Sequence, residues 1–113
     1  MKSFLGRLTC VLAAYLATPL WAQTATGAPV FIGLDEAFSI PTNTAPKAIE
    51  RGALAAIEEI NARGGVLGGR PLKLITTDNQ GVSARGRDNF IALAQKKDLV
   101  AVLGGKFSPV TVE

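Results

Sequence analysis

Residues 58–80 read EEINARGGVLGGRPLKLITTDNQ, and this stretch decides the fold class. Its first part closes a helix: Glu59 and Arg63 stand four apart in the favourable order, and Gly64-Gly65 supplies the left-handed backbone that ends one. A compact glycine-rich turn over 64–71, with Val66 and Leu67 in its middle, leads into a strand over 72–78. Helix, tight turn and strand in so few residues is the return half of a βαβ unit.

Working back, Thr44 can cap the helix and Pro46 falls in its first turn. Ile49, Ala53, Ile57 and Ile60, with Ala56 alongside, recur near the helical period. Gly52 in its interior costs about 1 kcal/mol against alanine. It reads either as a close-packing position against the sheet or as a neutral surface position. Residues 35–44, DEAFSIPTNT, form a polar loop around Pro41, and 30–34, VFIGL, is a short apolar strand of the kind buried on both faces between parallel neighbours.

Working forward, Ser83 can cap a second helix running to Lys97, with Phe90, Leu93 and Ala94 on its apolar face and Ile91 at the edge. Residues 99–103 read as a third buried strand ending in Gly104-Gly105, and Ser108-Pro109 opens another helix. The order predicts an α/β fold: an open parallel sheet with flanking helices and right-handed crossovers. The final helix stops soon after it starts, so the segment over 30–113 reads as truncated at its C-terminus.

The first residues belong to processing rather than fold. Lys2 and Arg7 precede an apolar run over 8–20, shorter than the roughly 20 residues of a membrane span. Residues 1–22 are expected to be a signal peptide cleaved after Ala22, with 23–29 a flexible leader; the alternative is an uncleaved anchor. Cys10, the single cysteine, would leave with the signal, and the chain has no histidine. Disulfides, thiolate nucleophiles and the common zinc sets are thus absent from the mature part, and no cofactor or metal is expected. Loss of Lys2 and Arg7 takes the twelve basic residues to ten against nine acidic ones, a net charge of +1. The remaining cations are scattered with no aromatic interleaving, which argues against a nucleic-acid partner.

In such sheets, ligands sit beyond the carboxyl ends of the strands, where helix N-termini present free amides. Three loops qualify, over 35–44, 78–82 and 104–108. No G-x-G-x-x-G runs through the glycines, and Gly105-Lys106 is followed by Phe107 where a phosphate loop needs Ser or Thr. Asp78 before Asn79-Gln80-Gly81 reads as a turn former that bonds nearby amides in preference to a catalytic carboxylate. Adjacent side chains in extended backbone diverge, so Asp35 and Glu36 read as solvated loop charges. Ser108 joins a hydroxyl to free helix amides, a pairing suited to a carboxylate; it reads equally as a simple cap.

Residues 58–80, together with Val102-Leu103-Gly104-Gly105, resemble the leucine/isoleucine/valine-binding family of periplasmic binding proteins associated with ABC transporters. The resemblance extends from about Val30 to the end of the chain and rests chiefly on Glu59 to Gly65, on the Gly68-Gly69-Arg70 turn and on Asp78. It implies that 30–113 is part of the first lobe of a two-lobed receptor that closes on a small solute and hands it to a membrane permease. Such a receptor is periplasmic, monomeric when complete, and no enzyme. It further implies that Ser108 contacts the carboxylate of an amino acid or related carboxylate or amide, with Phe107 as an apolar wall. The loop over 35–44 departs from the family's small, Ser/Gly/Pro-rich segment, leaving Phe38, Thr42 and Thr44 as candidate contacts. Two other readings remain open: a ligand-sensing extracellular domain of a membrane receptor, and an exported α/β enzyme whose catalytic residues lie elsewhere.

Overall fold

The computed structural model describes residues 25–104. Five elements follow in order: β1 (Val30–Glu36), α1 (Ala45–Ala62), β2 (Leu72–Asp78), α2 (Ser83–Ala94) and β3 (Leu99–Leu103). The strands form one open sheet in the order β2-β1-β3, with β1 parallel to both neighbours. This is the expected α/β arrangement, part of a doubly covered sheet.

Alternation along β1 gives its two faces different jobs. Val30 packs with Ile57 of α1 and Leu72 of β2, and Ile32, Ile60, Val66 and Leu74 close around them. Each such buried side chain contributes about 1.5–3 kcal/mol relative to exposure. On the opposite face Gly33 lies under Leu93 of α2: a Cβ built there would stand 3.0 Å from Leu93 Cδ1 and 3.3 Å from Val102 Cγ2. Gly33 thus lets α2 settle onto the central strand. Gly52 has no such role, because it is exposed and a Cβ there would meet nothing within 4 Å, so the close-packing alternative is overturned.

The turn between α1 and β2 is held by side chain as well as backbone. Asn61 Nδ2 donates to Leu72 O at 2.9 Å, and Leu72 N donates to Asn61 Oδ1 at 2.7 Å, so the amide pairs with β2 as a neighbouring strand would. Gly65 has φ +76°, and a Cβ on it would collide with the Arg70 carbonyl oxygen. Val66 and Arg70 exchange backbone hydrogen bonds of 2.8 and 2.7 Å around Leu67, Gly68 and Gly69, all at positive φ. The Glu59–Arg63 pair is made at 2.8 Å but is exposed, worth a few tenths of a kcal/mol.

Arg70 ties the segment before β1 to the turn over 64–71. Its Nε donates to Ala28 O at 2.7 Å and its Nη2 to Pro29 O at 3.1 Å, while Nη2 also pairs with Asp98 Oδ1 at 2.9 Å. Thr26 and Gly27 amides both donate to Gly69 O. The expected signal peptide lies outside the described residues.

Four further expectations change. Val82 holds the N-cap place of α2, Ser83 is its first residue, and the helix ends at Ala94 rather than Lys97. The shortening has a cause: Lys96 N bonds to Leu93 O and Asp98 takes φ 63°, turning the chain back in time for β3. Gly86, half-buried Asn89 and Leu93 face the sheet, so Phe90 rotates out and is 56% exposed. β3, expected to be buried, is half-open: its register slips between Phe31 and Ile32, and Val100 is bypassed and exposed.

Gly33→Ala is expected to lower stability by about 1 kcal/mol through overpacking, whereas Gly52→Ala should raise it by up to about 1 kcal/mol through helix propensity. Urea unfolding of both variants checks the opposite signs. Asn61→Ala strands the buried Leu72 amide and carbonyl and should cost about 1–3 kcal/mol, read as a lower urea midpoint at unchanged slope.

Candidate functional site

Parallel strands bring their carboxyl ends to one edge, so the loop over 37–44 after β1 and the turn over 79–82 after β2 are neighbours there. The segment after β3 starts at that edge with Gly104; Phe107 and Ser108 lie outside the described residues.

Asp35 and Glu36 are not solvated loop charges. β1 runs through both; Asp35 is 7% and Glu36 1% exposed. Register places Asp35 beside Thr77, whose Oγ1 donates to Asp35 Oδ1 at 2.8 Å; Asn89 Nδ2 of α2 donates to the same oxygen at 2.7 Å. Asn79 Nδ2 donates to Asp35 Oδ2 at 2.8 Å. A carboxylate buried without hydrogen bonds would be costly, and three donors make this one tolerable. Local sequence did not disclose this cluster; its signal was the set of polar residues, Thr77, Asn79 and Asn89, at positions where apolar ones would pack a core.

The turn over 79–82 is tied to the same group. Asn79 N extends the ladder by donating to Glu36 O at 3.0 Å, and Asn79 Oδ1 accepts from Gly81 N at 2.8 Å across Gln80 and Gly81, both at positive φ. Asp78 Oδ1 accepts from Gln80 N at 3.0 Å and from Ser39 N at 3.4 Å, so it is the turn former expected and also reaches the neighbouring loop. Desolvation pushes its pKa up, but hydrogen bonds from Gln80, Ser39 and Phe38 outweigh that and hold it below the ordinary aspartate range.

The loop over 37–44 folds back through Ile40 N to Ala37 O and Asn43 N to Ile40 O, then enters α1 at Thr44. Thr44 occupies the cap position in helical backbone, yet its side chain makes no capping bond. Against the first turns of α1 this loop leaves an open depression of about 420 Å³, lined among others by Phe38, Pro41, Asn43, Thr44, Lys47 and Arg51. Lys47 Nζ lies 5.0 Å from the Phe38 ring centroid and 2.9 Å from Glu50. Of the candidate contacts in this loop, Phe38 and Thr44 meet in the depression, and Thr42 is exposed and does not line it. Among the described residues no group of His, Cys, Asp and Glu is placed to hold a metal ion, and no helix is long and apolar enough to cross a membrane.

The edge therefore offers loops, amides and an aromatic ring for holding a molecule. Comparison with known families matches residues 29–113 to the family described as Periplasmic binding protein. The chain belongs to that family. Neither the curated proteins nor the solved structures include a match to it. Membership supports a solute-binding role and a periplasmic setting, in a family that is generally not enzymatic. The described elements supply part of a lobe in which a periplasmic binding protein would present loops to its solute.

Because the Asp78 pKa is depressed in the folded state, its stabilising contribution is present above the ordinary aspartate range and is lost as pH falls through the folded value. Asp78→Asn should therefore flatten the loss of stability as pH falls through and below the ordinary aspartate range. Urea midpoints of wild type and variant across that range measure it.

Proposed function

We propose that this protein is the solute receptor of an ABC importer, of the leucine/isoleucine/valine-binding type, taking amino acids or related small carboxylates and amides. The observation that carries this reading is the family match over 29–113, joined to a parallel sheet whose carboxyl edge gathers two loops. On this reading the protein is exported after removal of residues 1–22, residues 30–113 form part of its first lobe, and the solute is enclosed between that lobe and a second. It then docks on a membrane permease and performs no turnover.

On this reading Ser108 takes the anionic end of the solute through its hydroxyl. Phe107 supplies an apolar wall, and Phe38, Thr42 and Thr44 approach from the first loop. The unusual first loop supports a solute that differs from leucine at the end lying nearest it.

The test is a thermal-shift screen on the full-length exported protein with amino acids, their amides and aromatic acids, since a ligand at 100 times its Kd adds about 2.7 kcal/mol of stability. A carboxylate hit, lost or weakened in its amide analogue, is the expected result. Ser108→Ala should then weaken that hit roughly tenfold to a hundredfold, matching the 1.5–3 kcal/mol of a hydrogen bond to a charged group. Unchanged affinity with a lowered Tm would make Ser108 a cap alone, and turnover of a hit would overturn the receptor reading.

A further inference from the structure

Asp35, near the end of β1, is a buried carboxylate and can only accept hydrogen bonds. All three of its partners are donors on other elements: Thr77 on β2, Asn79 in the following turn, and Asn89 on α2. Two of them are carboxamides, whose orientation is decided by what they face. Asn79 must turn its NH2 toward Asp35 Oδ2, and this points its Oδ1 at the Gly81 amide, which it accepts at 2.8 Å. Gly81 and Gln80 both hold positive φ, and the Gln80 amide is taken by Asp78, which also accepts from Ser39. One carboxylate therefore sets the direction of a hydrogen-bond chain running from the central strand, through Asn79, into the turn over 79–82.

We propose that Asp35 is a positioning residue for the solute-facing edge: acting through Asn79, it fixes the turn over 79–82 and anchors α2 through Asn89, without touching the solute itself. The assignment of this edge to the solute rests on the function proposed above. Burial is consistent with the indirect role, because Asp35 is 7% exposed and both of its oxygens already accept bonds from within the fold.

The polarity of the chain makes the proposal testable by inversion. In Asp35→Asn, the new Oδ1 can still accept from Thr77 and Asn89, but the new NH2 faces the NH2 of Asn79, donor against donor. In Asn79→Asp, two carboxylates face each other. In the double variant Asp35→Asn/Asn79→Asp, the side-chain amide at 35 donates to the carboxylate at 79, whose other oxygen still accepts from Gly81, so the bond between the two positions is restored with its direction reversed while those from Thr77, Asn89 and Gly81 keep theirs.

The experiment is amide hydrogen exchange, resolved by residue, on the full-length protein and these three variants. Gly81 and Val82 report the turn, and Ile32 and Leu34 report the β1 ladder. Each single variant should speed exchange at Gly81 and Val82 at least about tenfold more than at Ile32 and Leu34, and the double variant should return it most of the way to wild type. If the singles move the turn and the ladder equally, or the double variant is no closer to wild type than either single, Asp35 is a general stabiliser and the proposal fails. Calorimetric titration of the four proteins with L-leucine as probe separates the two readings. An affinity that falls in the singles and recovers in the double supports positioning at the solute site; an affinity that ignores the turn places the solute elsewhere. A wild type that does not bind L-leucine agrees with a solute that differs from leucine and bears on solute identity alone, and exchange still decides the role of Asp35.

Discussion

The side-chain amide of Asn61, paired with both backbone groups of Leu72, determines where β2 begins. In a strand whose side chains alternate, a shift of one residue sends every side chain to the other face. Leu72 and Leu74 would leave the core around Val30 and Ile57, and Thr77 would no longer lie beside Asp35. The glycine at 65 and the bridge between Val66 and Arg70 serve the same end, delivering the chain from α1 to that starting point.

What register secures at one end of the sheet, hydrogen bonding uses at the other. β1 changes character along its length, from Val30 in an apolar cluster to Asp35 among three donors. Among the described residues Asp35 forms no ion pair, and it is the donors held in place by the strands and α2 that make its burial tolerable. Apolar packing is tolerant of small errors in direction; this cluster is not, which explains why the polar end of the strand lies where loops must be held in defined positions.

Much of the fold could be read from the residues because its signals are local. The helical period of Ile49, Ala53, Ile57 and Ile60, the glycines at 64 and 65 and the apolar runs over 72–78 and 99–103 each act within a turn or a strand. Asp35 was misread because its partners lie 42, 44 and 54 residues away, and nothing beside it in the chain announces them. The same cause rotated α2: Asn89 turns inward to reach Asp35, and Phe90 is carried out with it. The bonds from Arg70 to Ala28 and Pro29 were not legible either, since only the folded turn brings the guanidinium to these carbonyls. At the candidate site, Phe38 and Thr44 converge because the loop folds back on α1, whereas Thr42 sits at its exposed tip, a difference that spacing along the chain does not encode.

Asn61, Gly65 and Arg70, which deliver the chain into β2, stand at the amino end of the strands; the candidate solute loops stand at the carboxyl end. A seven-residue strand separates them by about 20 Å. Free-energy changes at sites so far apart are expected to add, without coupling. Recognition of a new solute can then be acquired at one end while the instructions for folding at the other stay intact.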